Sequence, residues 1–383
     1  MSREKITFDL PMLTPIVRQA LADQQAEIAT WQSELIYGDF LGDDVSPIYR
    51  IHGTAQSHAE EKAWSLILKI VHPGVGGNEE TNWFYWQREP LLYQSGLLDD
   101  LPGPLCGPTC YGVTDGPDEE VWIWLEEVID EAGSNWSLET YSRAARHLGE
   151  FNGLYLAGRP FPDAEWLSTG RVHPLLTLIK PVYDQFDTYC AYPINQCWFS
   201  AEDAERTQDL WSRGETLVNA LDSLPQTFVH HDAFRRNLFT QKGPNGEAQT
   251  VAIDWSFAGR GPIGAEAGVL MAVSLEFLDF DAAHARELDQ AIFTNYVDGL
   301  RASGWQGDPA QARLGYTATA TLLSAIHRAA DALGSLYEDE WRDNWEAWIG
   351  HPLDDILAQW ALLQPFLLDL GDEAIGLLSL PRV

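Results

Sequence analysis

Lysine is scarce in this chain. There are five in 383 residues: Lys5, Lys62, Lys69, Lys180 and Lys242. Lysine and arginine together number 24 against 57 acidic residues, a formal net charge of −33. A nucleic-acid surface needs a basic stripe over the phosphates, so that function class is argued against. Uninterrupted apolar runs of about 18 residues, the length of a membrane-spanning helix, are also missing. The first residues, MSREKITFDLPML, lack a basic-then-apolar secretion pattern. The expectation is a cytoplasmic protein with neither nucleic acid nor membrane as partner. Cysteine is sparse too: Cys106, Cys110, Cys190 and Cys197 fit no common zinc spacing and read as free structural thiols. The length allows two domains with ample core. The acidity suits a cationic small substrate, which an acidic cleft concentrates. It equally serves solubility or a salty habitat.

Against these absences one stretch stands out, Phe228 to Gly268, which holds His230-x-Asp232-x-x-x-x-Asn237 and then Asp254 after Val251-Ala252-Ile253. Phosphoryl transfer calls for these side chains: a carboxylate to take the proton of the attacking hydroxyl, and an amide oxygen and a second carboxylate to hold Mg²⁺ on the phosphates. Asp232 is assigned the first role, Asn237 and Asp254 the second. His230 reads as an anchor of the loop, and Arg235 or Arg236 as a stabiliser of the transferring phosphoryl charge. A Gly-Pro-Asn-Gly turn at 243–246 joins two apolar runs as a hairpin would. A hydrolase built on His230 or His231 with Asp232 is the rival chemistry, but no G-x-S-x-G elbow occurs.

The segment resembles the aminoglycoside phosphotransferase branch of the small-molecule kinases, whose catalytic segment reads HGD, and more distantly the choline kinases. The resemblance spans roughly residues 35–280. It implies an α+β, two-lobed protein kinase-like fold, with an antiparallel sheet and a helix in the N-lobe and a larger, mostly helical C-lobe. The expected division is a helical extension over 1–33, a nucleotide-binding N-lobe over 34–128, and a C-lobe over 129–383 with the catalytic loop and substrate pocket.

Within that frame Lys69 is the lysine of a long apolar strand, Trp64 to Val71, where an ammonium needs an anion or water. The resemblance makes it the ligand of the nucleotide phosphates and Glu89 its partner. Glu89 lies on a helix expected over Asn82–Leu98, with Pro90 placing the regular start near Arg88 or a kink there. The loop at 38–47 stands where a phosphate-covering hairpin would. Glu126, Glu127 and Val128 end a strand from Val121 and would meet the adenine edge through their backbone. Ser137 to Leu156 reads as a capped amphipathic helix. Glu266 stands where the family has a loop-bracing aspartate, and His231 where it has a small residue. The aromatics of 159–225 read as core and helix packing, some of them pocket walls. Glu276, Asp279, Asp331, Glu338 and Asp339 are the candidate contacts of a cationic substrate.

The implied activity is transfer of the γ-phosphoryl group of ATP, with Mg²⁺, to a hydroxyl of a small molecule, an aminoglycoside or another cationic compound. The alternatives are a kinase for choline, a macrolide or a sugar, and a kinase-fold protein that binds nucleotide with little or no catalysis.

Overall fold

The structure, a computed structural model, describes residues 8–38, 46–58, 60–73, 76–99, 101–243 and 245–379. The chain divides into two compact units. One comprises residues 1–78, 86–100 and 107–128, the other 79–85, 101–106 and 129–383.

The first unit carries helix α1 (Leu10–Ala20), strands β1 (Glu27–Tyr37), β2 (Ile48–Ser57) and β3 (Glu60–Val71), and helix α2 (Arg88–Ser95). After β4 (Leu105–Cys106), which belongs to the other unit, come β5 (Cys110–Asp115) and β6 (Val121–Glu126). The sheet is antiparallel in the order β1-β2-β3-β6-β5, with β3 in the middle. Strand alternation explains its two faces. Trp64, Leu66, Leu68 and Ile70 pack with Leu13, Ile16 and Val17 of α1 in one cluster, and Lys69 points to the opposite face.

The expected helical extension over 1–33 is corrected here. Helix α1 is capped by Asp9, which accepts from the Met12 N–H at 2.9 Å, but it stops at a left-handed Ala22. Asp23 then accepts from the Gln25 N–H and the Ser57 hydroxyl, both at 2.9 Å. This turn sends residues 27–33 into the sheet, paired with β2 from Glu27↔Gln56 onward. The pattern that reads as one helical extension over 1–33 therefore runs across a turn. The helix expected from Asn82 is likewise shorter, because the Asn82 side chain accepts from the Phe84 N–H at 2.8 Å and makes a local turn. Helix α2 starts at Arg88, which puts Pro90 in its first turn, where a missing N–H costs nothing. Of the 38–47 loop, residues 39–45 lie outside the described residues.

The second unit is mostly helical. Its helices are α3 (Leu138–Leu156), α4 (Val172–Tyr183), α5 (Phe186–Cys190), α6 (Ala201–Ser212) and α7 (Gly214–Ser223), then α8 (Ala265–Glu276), α9 (Ala285–Ala302) and α10 (Pro309–Ala320). A π-helical segment, Thr321–Arg328, leads into α11 (Ala329–Ser335), followed by α12 (Asp339–Ile349) and α13 (Leu353–Leu378). Between α7 and α8 lie β7 (Gln226–Val229), β8 (Leu238–Lys242), β9 (Ala248–Ala252) and β10 (Gly259–Pro262). Strands β8 and β9 form an antiparallel hairpin, and β7 pairs with β10. The hairpin turn includes Pro244, outside the described residues.

Helices α3 and α9 touch backbone to backbone, because a Cβ on Gly149 would sit 2.1 Å from the Tyr296 carbonyl oxygen. The expected aromatics of 159–225 are largely packing: Tyr183 stacks on Trp211 at 4.0 Å and on Phe186 at 5.1 Å. Among the described residues no helix is long and apolar enough to cross a membrane.

Candidate active site

The hairpin β8–β9 sets the geometry. Asn237 precedes β8 and Asp254 follows β9, and the Ile253 N–H donates to the Asn237 carbonyl at 2.9 Å. One end of a hairpin thus carries both expected metal ligands. The Asn237 amide nitrogen donates to the Asp232 backbone carbonyl at 3.0 Å and to Asp232 Oδ2 at 2.9 Å. Two acceptors facing one amide fix its orientation and leave the Asn237 oxygen as an acceptor. Asp254 sits at φ 60°, a left-handed conformation that a non-glycine residue adopts at a cost and that clusters at functional sites. One amide oxygen and one carboxylate fit Mg²⁺, which takes few protein ligands and completes its shell with water and phosphate oxygens.

His230 fixes the loop. It is fully buried, its Nε2 lies 2.8 Å from the Ile253 carbonyl, and its Nδ1 accepts from the Asp232 N–H at 3.2 Å. Those partners demand a neutral ring protonated on Nε2, and burial holds its pKa below the ordinary histidine value. The His230 N–H donates to Glu266 Oε1. Glu266 Oε2 accepts from Asn152 at 2.9 Å, and Tyr296 closes the set by donating to Asn152 Oδ1 at 2.8 Å. Glu266 therefore braces the loop despite its extra methylene, and burial pushes its carboxyl up to about 7.

His231 also has a structural account. It lies at φ 69°, where glycine is unstrained, which explains why a small residue suits that place. Its Nε2 bonds the Arg260 carbonyl at 2.9 Å. Gly261 makes room for the ring, since a Cβ there would lie 2.8 Å from His231 Cε1.

In the other unit, Lys69 Nζ lies 2.6 Å from Glu89 Oε2, with side chains 10% and 2% exposed. Lys69 is in the central strand, so it is no edge-strand surface lysine. At the end of β6 the Glu126 N–H donates to the Thr109 carbonyl at 2.9 Å. Glu127 pairs with Arg50 at 2.5 Å and accepts from the Ser65 hydroxyl. Its side chain is thus engaged within the protein.

The profile of the phosphotransferase enzyme family matches residues 62–289, a span that holds Lys69, Glu89, the Asp232 loop and Asp254. The chain belongs to that family. No curated protein matches it in sequence. Solved structures share its fold. An aminoglycoside phosphotransferase from Alicyclobacillus acidocaldarius is 14% identical over 98% of this chain and 99% of that one, with a TM-score of 0.54. An amicoumacin kinase in complex with AMP-PNP, Ca²⁺ and Ami is 12% identical over 90% and 95%, at 0.52. A choline kinase from Cryptosporidium parvum is 12% identical over 97% and 98%, also at 0.52.

For this phosphotransferase family member two expectations need correction. Arg236 does not face the reacting centre: its guanidinium binds Asp279 at 3.2 Å and donates to the carbonyls of Phe277, Trp348 and Ile349. Arg235 is held likewise, by the Gly133 carbonyl at 2.7 Å and Asp130 at 3.5 Å. Both are structural because the turn after Asp232 aims Arg235 at the segment before α3 and Arg236 at α12 and the end of α8. The expected acidic contacts are mostly matched by arginines. Glu276 and Asp331 lie 3.7 and 3.5 Å from Arg328, and Asp339 lies 2.5 Å from Arg342.

The residue that sequence reasoning missed is Arg171, whose Nη1 lies 3.1 Å from Asp232 Oδ1. It precedes α4, and its guanidinium lies over the Phe257 ring at 5.2 Å. Trp83 stacks on the same ring at 5.7 Å. Nothing in the Ser168-Thr169-Gly170-Arg171 turn advertises this contact.

Proposed function

We propose that the protein transfers the γ-phosphoryl group of ATP to a hydroxyl of a small molecule. The observation that carries this reading is the joint placement of Asp232, Asn237 and Asp254 at one end of the β8–β9 hairpin, braced by His230 and Glu266. Asp232 takes the proton of the acceptor hydroxyl. The Asn237 amide and the His230 ring hold Asp232 in place, so little rearrangement accompanies proton transfer. Asn237 and Asp254 would hold Mg²⁺, which neutralises phosphate charge when bound. Lys69, oriented by Glu89, meets the nucleotide phosphates, and the backbone of 126–128 meets the adenine. A cytoplasmic site of action, where ATP and Mg²⁺ are both at hand, goes with this reading.

The test is incubation with Mg-ATP and a panel of aminoglycosides, macrolides, choline and sugars, following nucleotide diphosphate release and product mass. A substrate that gains one phosphoryl group with wild type but not with Asp232→Asn supports the reading. Nucleotide binding without transfer to any alcohol supports a regulatory protein instead.

A further inference from the structure

Arg171 differs from Arg313 and Arg236, which hold this fold together, and shares with Arg235 a buried Nε without a partner, but unlike Arg235 it lines a cavity. Arg313 directs Nε to Glu373 and Nη1 to Asp289, both at 2.7 Å, and Nη2 to both carboxylates. Arg236 has Asp279 and three carbonyls. Arg171 gives Nη1 to Asp232, while its Nε is buried with no hydrogen-bond partner. A guanidinium offers five donors in a rigid plane, and a buried donor left unpaired is costly. Phe257 covers one face of this plane.

The same arginine lines a cavity of about 350 Å³ together with Trp83, His173, Gln226, His231 and Arg260. The cavity reaches the catalytic loop at His231. Its size suits a small metabolite, which such cavities enclose with few polar anchors. Two carboxylates also border it. Asp222 is exposed, and Glu266 already accepts from His230 and Asn152. Arg260, like Asp222, is exposed, so two arginines face two carboxylates, and what sets the cavity apart is the buried Nε of Arg171 that no protein group accepts from. Helix α4 begins beside Arg171 with no side-chain cap, which adds a favourable dipole.

We propose that the acceptor molecule carries an oxyanion, a carboxylate or a phosphate ester, and that Arg171 receives it beside Asp232. This rests on the phosphotransfer reading above. A planar oxyanion would satisfy Arg171's remaining edge in a two-point contact, while Nη1 keeps its hold on Asp232. Arg171 is then a specificity residue as well as a positioning residue for the base. The acidic surface of the chain, taken alone, suggests a cationic substrate; the unsatisfied donor of Arg171 points to an anionic group on it instead.

The test separates binding from turnover. D-gluconate, D-glucose 6-phosphate, sorbitol and D-glucosamine are titrated calorimetrically into the full chain with Mg²⁺ and a non-hydrolysable ATP analogue. At least one of the two acids is expected to bind about tenfold or more tightly than sorbitol and glucosamine, and whichever binds identifies the carboxylate or phosphate source. Arg171→Gln is expected to erase that preference while leaving nucleotide affinity unchanged, and Arg171→Lys to restore part of it. Acids that bind no better than sorbitol, or glucosamine binding tightest, would overturn the proposal in the wild-type protein alone, whatever the variants' folding. A preference for acids that survives in a folded Arg171→Gln would overturn the assignment to Arg171. Mg-ATP turnover of the same compounds tests the phosphotransfer reading separately. Transfer without acid preference sinks only the oxyanion proposal. Acid binding without transfer to any hydroxyl sinks the phosphotransfer reading.

Discussion

Two cation–carboxylate pairs invite comparison, one in each unit. Lys69 and Glu89 meet at 2.6 Å, and Arg171 and Asp232 at 3.1 Å. Under the proposed function their chemistry would be inverted. In the first pair the cation would be the working group and the carboxylate would position it. In the second the carboxylate would work and the cation position it. The first pair joins a central strand to the first turn of a nearby helix, so both members sit at patterned places in the sequence. The second joins a loop to a helix start 61 residues earlier, with no pattern at either end to announce it. A residue that does chemistry tends to carry a motif; its partner need not, because any backbone that delivers the right group will serve.

The comparison can be broken from the reactive end first. Asp232→Asn keeps shape and loses the proton acceptor, so turnover should fall by about 10³-fold, within the range for general-base removal, with the melting temperature almost unchanged. A variant retaining a tenth of the wild-type rate would remove Asp232 from proton transfer. Lys69→Met should lower kcat/KM for ATP by about 10²-fold. Glu89→Gln, which leaves the lysine but loosens it, should cost about tenfold. Equal losses in the two would mean that Glu89 does more than position.

Glu266→Ala sharpens the comparison further, since Glu266 touches neither pair yet holds the loop of one. It strands the His230 N–H and leaves the Asn152 amide to the Phe228 carbonyl, at a cost of about 1–3 kcal/mol in chemical denaturation. It should also lower kcat more than the KM for ATP. Unchanged stability would show that the brace lies elsewhere.

The smallest effect concerns pH. His147 is buried against Thr250 at 2.8 Å, and desolvation pushes its pKa from the ordinary 6.5 down to about 4. The unfolded chain takes up that proton first. The neutral ring's contribution is therefore complete above about pH 6.5 and is lost as pH falls through about 4. Between those limits His147→Gln should flatten the fall of stability with acid by up to about 1.4 kcal/mol per pH unit, read from urea midpoints at pH 7 and pH 5. Identical slopes in variant and wild type would refute this.

What the sequence alone determined follows local rules. Strand alternation put Lys69 opposite the apolar face of its sheet, and Ser137 capped α3. The spacing from His230 to Asn237 together with the hairpin turn brought Asp232, Asn237 and Asp254 into one cluster. These are short-range consequences of periodicity, capping and turn chemistry. Only the tertiary structure decided the rest. The sharp turn at Ala22 and Asp23 put residues 27–33 into the sheet, because Ser57 from another strand helps hold it. The aim of Arg236 away from the reacting centre was fixed by carbonyls of α12 and Phe277, and that of Arg235 by the Gly133 carbonyl and Asp130, all far along the chain. The fitness of Glu266 as a brace depended on Asn152, which the glycine contact between α3 and α9 delivers. The meeting of Arg171 with Asp232 depended on where a helix begins. Each of these is a long-range contact, set by which surfaces pack together and by which buried donors find acceptors, and a linear pattern does not encode either.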